Sequence, residues 1–414
     1  MAMFVVREPI HAGVDPPSVL LLIGDDIGWP EMPLMPNLRA LAAQGMTFDR
    51  AYSMPLCTPS RMALLLGILP RVEGAGGNTY DPFDPTADRL PLQRTTMAEL
   101  FAPTHATAIF GKWHLGRAPL GGELDQVQSG PYCQGFEVWR AGNPSALTVG
   151  LGGTGYKNWP RVDDGVMGLS SQYTTDAQRD AFVAWWSSTP GPKMAWLAWS
   201  AAHAPYNRAP GMLLGSTTRE KYEHVVEYLD DRLPDVLEFV DLATTYVVWV
   251  ADNGTPPDAR PIGTDDGIWK FTSYEGGVRV PIVIAGPGIS AGGTSSRLVS
   301  LVDLGATLAE LTGVPLHGFE DSMSFADALG PSWAGASPRS FVFTERYTSS
   351  YDDEAIIEAK WKLRRVDPDG PEGPLDTRDH FYRIVSPGVE VELLPSSRVR
   401  ANLLDELANI PPRR

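Results

Sequence analysis

The sequence predicts an α/β protein built on a large, mostly parallel (mixed) sheet sandwiched by helices, with a smaller unit at the C-terminus. Two observations carry this. Short apolar runs of strand length alternate along the chain with helical patterns, the order that folds into a parallel sheet covered by helices. The 414 residues are 43% hydrophobic and 20% charged, enough for one large core plus a smaller one. In chain order, the strand-like runs are 19–23, 107–110, 194–199, 246–250 and 281–285. Helical patterns fall after Cys57, over 174–187, over the long amphipathic stretch 219–240, and over 301–312, which stops at Gly313. Near residue 325 the character changes. ADALGPSWAGASPRS reads as a linker, strands follow at 341–344, 360–365 and 380–384, and a last helix at 401–407. The expected units are 1–325 and 326–414, with no internal repeat.

Composition sets bounds on function. A net charge of −16 argues against general nucleic-acid binding, and no apolar run approaches the length of a membrane span. Two cysteines supply no disulfide framework. The first residues, MAMFVVREPI, break their apolar run at Arg7 and Glu8 and do not form a secretory pattern. A cytoplasmic protein is expected; a periplasmic or secreted one is the alternative if a signal has been removed.

The most informative string is CTPSR at 57–61. With two cysteines in the chain, chance placement of one before Pro, Ser and Arg at these offsets is on the order of one in a thousand. Thr58 reads as an N-cap and Pro59 as the first helical residue, so the thiol is expected at a helix N-terminus, where free N–H groups and the fixed charge of Arg61 favour an anion. The plain alternative is a small apolar Cys that caps a core helix.

CTPSR resembles the signature of the type I sulfatases, within the alkaline phosphatase superfamily. The resemblance implies that a formylglycine-generating enzyme oxidises Cys57 to Cα-formylglycine, whose hydrate attacks sulfur with one of its two hydroxyls. The remaining motifs appear in the order such a site requires. SVLLLIGDDIGW ends an apolar run in Asp25 and Asp26, and YVVWVADNG ends another in Asp252 and Asn253. Such clusters of hard oxygen donors suit a hard divalent ion. In the family these four positions bind Ca²⁺ together with the formylglycine; Mg²⁺ or another divalent ion would use the same donors.

AIFGKWHLG, at 108–116, is similar to the second sulfatase signature. It offers Lys112 as a compact cation for sulfate oxygens and His114 as a base for the second diol hydroxyl, the step that expels sulfate. His203, in LAWSAAHAPYN, and Lys270, ahead of the EGGxRxP string at 275–281, resemble the family's residues at the leaving oxygen and a terminal sulfate oxygen. Asp252 is the expected acceptor of the attacking hydroxyl's proton. The remaining histidines (His11, His105, His224, His317 and His380) are expected to be structural or surface residues.

The resemblance covers nearly the whole chain and implies a small antiparallel sheet and helix at the C-terminus. The reaction it implies is hydrolysis of a small-molecule or carbohydrate sulfate ester to sulfate and an alcohol or phenol, arylsulfatase-like. Two rivals stand beside it: a phosphonate monoester or phosphodiester hydrolase using the same site, and a non-catalytic anion-binding protein whose Cys57 stays a thiol. Trp29, Trp113, Trp269, Tyr206 and Tyr274 lie near these residues in sequence and suit either an aryl or sugar ring or plain packing. One departure stands out: the family commonly continues the cysteine motif with Thr-Gly-Arg, where this chain has Leu66, Gly67 and Ile68. The expected consequence is weaker maturation of Cys57.

Overall fold

A computed structural model describes residues 15–78, 90, 91, 93–116, 130–148, 152–211, 217–330, 337–348, 351–367 and 378–413. Its larger sheet has eleven strands: β1 (Ser18–Gly24), β2 (Met46–Tyr52), β3 (Ala106–Lys112), β4 (Val138–Asn143), β5 (Trp159–Asp163), β6 (Val166–Ser170), β7 (Lys193–Ala198), β8 (Thr245–Ala251), β9 (Arg279–Ala285), β10 (Gly293–Ser295) and β11 (Val299–Ser300). The strand order is β10-β2-β9-β8-β1-β7-β3-β4-β5-β6, with β11 also on β2.

The middle of this sheet is parallel: β8, β1, β7, β3 and β4 run the same way. The sheet is mixed because β9 lies antiparallel between β2 and β8, and because β5 and β6 form an antiparallel extension. β3, β8 and β9 are buried along their full length and β1 at every residue but its first. Burial on both faces is why these strands read as apolar runs without alternation. The helix Thr174–Ser188 packs on β3, β4 and β7, and Pro36–Ala42 packs on β9.

Two expected helices differ in detail. The stretch 219–240 is broken: one helix spans Thr218–Asp230, opened by a capping box between Thr217 and Glu220, and a second spans Leu233–Leu237. Pro234 causes the break, since proline fits the first turn of a helix and not its interior. The helix Cys57–Leu66 begins two residues earlier than the motif suggests. Leu56, in extended geometry, is the N-cap, so Cys57 is the first helical residue and Thr58 is not the cap. The Thr58 hydroxyl instead donates to the His114 carbonyl at 2.9 Å, and its N–H is taken by Asn78 Oδ1 at 3.1 Å. Leu66 and Ile68 are buried in the core, and Gly67 ends the helix in the left-handed region at φ 62°.

The C-terminal sheet is antiparallel and has five strands: β12 (Phe341–Thr348), β13 (Tyr351–Glu358), β14 (Trp361–Asp367), β15 (Arg378–Ser386) and β16 (Val389–Glu392). The helix Ser397–Ala408 packs on β13 and β14. This sheet joins the rest of the protein, beside the Cys57 helix, through an apolar cluster that includes Met54, Ala63, Val302, Phe343, Ile356 and Leu363. Polar contacts reinforce it. Thr344 donates to the Ser53 carbonyl at 2.9 Å, and Asp353 accepts from the Ser273 N–H at 3.1 Å while pairing with Arg364. Among the described residues, no helix is long and apolar enough to cross a membrane. His11 lies outside them.

Candidate active site

Four neighbouring strands deliver the motif residues to one place. β8, β1, β7 and β3 are consecutive in the sheet, and their C-terminal ends carry Asp252 and Asn253, Asp25 and Asp26, His203, and Lys112 with His114, respectively. The ends of parallel strands are where open α/β sheets bind ligands, because the following loops diverge there and leave a crevice. The strand ends are fastened to one another. Asp252 N–H donates to the Gly24 carbonyl at 3.1 Å, Asp25 N–H to the Ala201 carbonyl at 2.9 Å, and Ala202 N–H to the Asp25 carbonyl at 2.6 Å.

The Cys57 helix points its first residue at this crevice. The Cys57 Sγ lies 3.6 Å from Asp25 Oδ1, 3.8 Å from Asp26 Oδ1 and 3.4 Å from Lys270 Nζ, and the residue is fully buried. Lys112 Nζ donates to Asp25 Oδ2 at 2.6 Å, and Lys270 Nζ donates to Asp26 Oδ1. Arg61, also fully buried, donates from Nε to Asp252 Oδ2 at 2.9 Å and from Nη1 to the Lys112 carbonyl at 2.9 Å. Three carboxylates thus face three cations around one thiol.

Burial and this charge pattern set the protonation states. Burial pushes the Cys57 thiol well up, Asp252 and Asp25 push it further, and Lys112 and Lys270 only partly offset them, so the sulfur stays protonated. Burial also raises Asp26, but Lys270, His203 and Lys112 outweigh it and hold the carboxyl far below its usual range. Asp252 is raised, first by burial and then by Asp25. Lys112 and Lys270 remain charged against the cost of burial, through Asp25 and Asp26 respectively.

The residues also fit a divalent ion. Asp25, Asp26, Asp252 and Cys57 each bring one ligand atom into a group whose members lie within 4.8 Å of one another. Asn253 donates from Nδ2 to Asp26 Oδ1 at 2.7 Å and to the Gly254 carbonyl at 3.0 Å, while its buried Oδ1 has no hydrogen-bond partner. An orphaned amide oxygen beside three carboxylates completes a hard oxygen donor set.

His203 is partly buried. Its Nδ1 sits 2.6 Å from the Ala204 carbonyl, which can only accept, so Nδ1 carries the proton and Nε2 is bare in the neutral ring. Burial, then Lys112 and Lys270, push the imidazole from 6.5 down to about 4, against the pull of Asp26. The unfolded chain takes up this proton first, so the stability the group contributes is complete above pH 6.5 and is lost as the pH falls toward 4. His203→Gln is therefore expected to flatten the acid slope of the urea midpoint over that interval; equal slopes in both proteins would contradict the assignment.

Some residues that build the site carry no signal in the sequence. The Tyr222 hydroxyl donates to the Asp26 carbonyl at 2.8 Å, steadying a residue held at φ 64°. The Tyr156 hydroxyl donates to the His203 carbonyl at 2.8 Å. In sequence Tyr222 lies between Lys221 and Glu223 and Tyr156 between Gly155 and Lys157, so neither stands out, although both are fully buried in the fold. Of the five aromatic candidates, Trp113 and Trp269 are buried in packing, Trp29 lies under Arg279, and Tyr274 contacts Tyr382 and Arg364. Tyr206 is half-buried and donates to Asp258 at 3.0 Å. His105 is buried against the Pro17 carbonyl, while His224 and His380 pair with Glu227 and Glu392 nearer the surface.

A mixed α/β sheet with acidic, basic and thiol groups gathered at its parallel strand ends defines an open α/β protein with an anion and cation site at the crevice. The Sulfatase family model matches residues 17–314, and the chain belongs to that family. It is 32% identical over 339 residues to pig (Sus scrofa) N-acetylgalactosamine-6-sulfatase, covering 72% of this chain and 63% of that protein. Bovine (Bos taurus) arylsulfatase A is 28% identical over 454 residues, covering 97% of this chain and 86% of that one. The crystal structure of Ps i-CgsB shares the fold at a TM-score of 0.75 and 23% identity, covering 96% of this chain and 92% of that chain. PsFucS1 sulfatase from Pseudoalteromonas sp. does so at 0.73 and 22%, covering 95% and 89%.

Proposed function

We propose that this protein hydrolyses a sulfate ester, using Cys57 matured to Cα-formylglycine as nucleophile and a divalent ion, Ca²⁺ by its donor set, held by Asp25, Asp26, Asp252 and Asn253. The observation that carries the reading is the buried Cys57 thiol at a helix N-terminus, in contact with Asp25, Asp26 and Lys270 together. Its Sγ stands where an oxygen of the hydrated aldehyde would stand. When present, the hydrate supplies the attacking hydroxyl, and the ion adds positive charge beside the sulfuryl oxygens.

The chain's own residues do the rest. Lys112 and Lys270 bind sulfate oxygens and hold the sulfur in line with the nucleophile. Arg61 fixes Asp252, and Asp252, raised above the ordinary carboxylate range, accepts the proton of the attacking hydroxyl. The bare Nε2 of His203 takes up a proton once the negative substrate offsets the two lysines, and delivers it to the leaving oxygen, with Lys270 as second donor. His114 removes the proton whose loss expels sulfate. The relatives, named for N-acetylgalactosamine-6-sulfate and aryl sulfate cleavage, favour a carbohydrate or aryl sulfate ester as substrate. A formylglycine-generating enzyme is the partner required for maturation.

Comparison of 4-nitrophenyl sulfate with bis(4-nitrophenyl) phosphate tests the reaction class. The sulfate ester is expected to be turned over with the higher kcat/KM by the mature protein; a faster phosphodiester reaction would move the assignment to the phosphodiester hydrolases.

A further inference from the structure

Beyond the three cations gathered around Cys57, a further cation, Arg346, lies close by. β12 places Thr344 and Arg346 on one face, two residues apart, toward the segment that carries Cys57. Thr344 meets the Ser53 carbonyl, and Arg346 Nη1 donates to the Phe271 carbonyl at 3.0 Å. Phe271 directly follows Lys270, and its own N–H donates to the Pro55 carbonyl at 3.1 Å, two residues before Cys57. The guanidinium therefore belongs to the wall of the same crevice.

Its surroundings are those of a binding group and not of a structural ion pair. Lys270 Nζ lies 5.4 Å from the centre of the Phe271 ring, and the Arg346 guanidinium lies 5.5 Å from the same centre and 5.1 Å from the Tyr351 ring. Both cations thus lie against one aromatic ring, near enough to each other for neighbouring anionic groups of one sugar to meet them. Asp353, the register partner of Arg346, is already taken up by Ser273 and Arg364. Arg346 has no carboxylate within salt-bridge distance among the described residues, and its buried Nε has no hydrogen-bond partner. Phe271 is held at φ 79°, in the left-handed region that a bulky residue rarely adopts, as is common where a ligand clamp is built. Arg346, Phe271 and Tyr351 are all only half-buried, so a ligand can reach them.

We infer that Arg346, flanked by Phe271 and Tyr351, is a specificity-determining subsite for a second anionic group, a carboxylate or another sulfate, one sugar ring away from the scissile ester. The inference rests on the sulfate-ester reading of the main site and extends it to the substrate class: polyanionic carbohydrate in preference to a singly charged ester. A fork-shaped guanidinium with free donors pairs carboxylate or sulfate through charge-assisted hydrogen bonds, and the rings flank the sugar between the two anions.

Calorimetric affinities for a panel of hexosamine monosulfates, their disulfated counterparts and sulfated hexuronic acids test it on the full chain with Cys57 unmodified. At least one doubly charged member is expected to bind about tenfold more tightly than its singly charged counterpart. Arg346→Gln should erase that ratio, and Arg346→Lys should restore part of it. The absence of any such preference in the unaltered protein, a ratio untouched by Arg346→Gln, or a loss common to every probe would each overturn the subsite. Turnover of 4-nitrophenyl sulfate by the mature protein, measured alongside, separates the two readings. No turnover with the preference intact removes the catalytic reading alone; turnover without the preference removes the subsite alone.

Discussion

Cys57→Ala is expected to abolish the proposed sulfate-ester turnover, with a loss of at least about four orders of magnitude, because the proposed reaction runs through a nucleophile made from that side chain. The Cys57→Ser variant makes the sharper case. Serine has one hydroxyl on its Cβ, whereas a hydrated aldehyde has two. A serine oxygen can take the sulfuryl group, but no second hydroxyl remains for His114 to deprotonate and so expel sulfate. The variant is expected to release no more than one equivalent of phenol from 4-nitrophenyl sulfate and then stop. Continuous turnover by the alanine variant would show that the chemistry does not pass through position 57, and by the serine variant that a second hydroxyl is not what expels sulfate. Both substitutions are small and Cys57 is fully buried without any disulfide, so folding should survive.

Asp252→Ala carries the largest expected effect on stability. Asp252 Oδ2 accepts from Arg61 Nε at 2.9 Å and pairs with Nη2 at 2.8 Å, and both residues are essentially inaccessible to solvent. Without this carboxylate, Arg61 keeps only the Lys112 carbonyl and a 3.9 Å approach to Asp25. Stranding a buried charge typically costs about 3–5 kcal/mol. Asp252 Oδ1 also accepts from the Asp26 N–H at 3.2 Å, so the two ligand loops should loosen together. Asp252→Asn separates stability from chemistry. Its amide oxygen can still accept from Arg61, so the urea midpoint should fall less than in the alanine variant, while turnover should drop to a similar level. An alanine variant as stable as the parent would refute the account of Arg61.

Much of this was legible in the sequence because it depends on local strings. The central strands are buried on both faces and so read as unbroken apolar runs, and each candidate site residue sits within a few positions of a strand end or helix start. What the sequence hid depends on pairing across distance. β13 begins Tyr-Asp-Asp-Glu and does not read as a strand, yet Asp352, Asp353 and Glu354 are accommodated by Arg413, Arg364 and Arg71 from elsewhere in the chain. β2, with Asp49 and Arg50 inside it, was hidden in the same way: Arg50 donates to the Glu358 carbonyl at 2.8 Å. The N-cap of the Cys57 helix was misplaced by two residues because Thr58 serves His114 and not its own helix. Tyr222, Tyr156 and Arg346 act through contacts with distant loops, which no local pattern announces.

Leu66 and Ile68 both lie in the core and away from solvent, so the folded protein accommodates the departure at these positions by packing. The proposed reaction turns on the covalent state of one residue. The most direct measurement is the mass of the peptide that spans Cys57, from protein produced with and without a formylglycine-generating enzyme. A loss of about 18 Da is expected when the enzyme is present, as the thiol becomes an aldehyde. An unmodified thiol under both conditions would contradict it and leave a buried anion-binding site without a nucleophile.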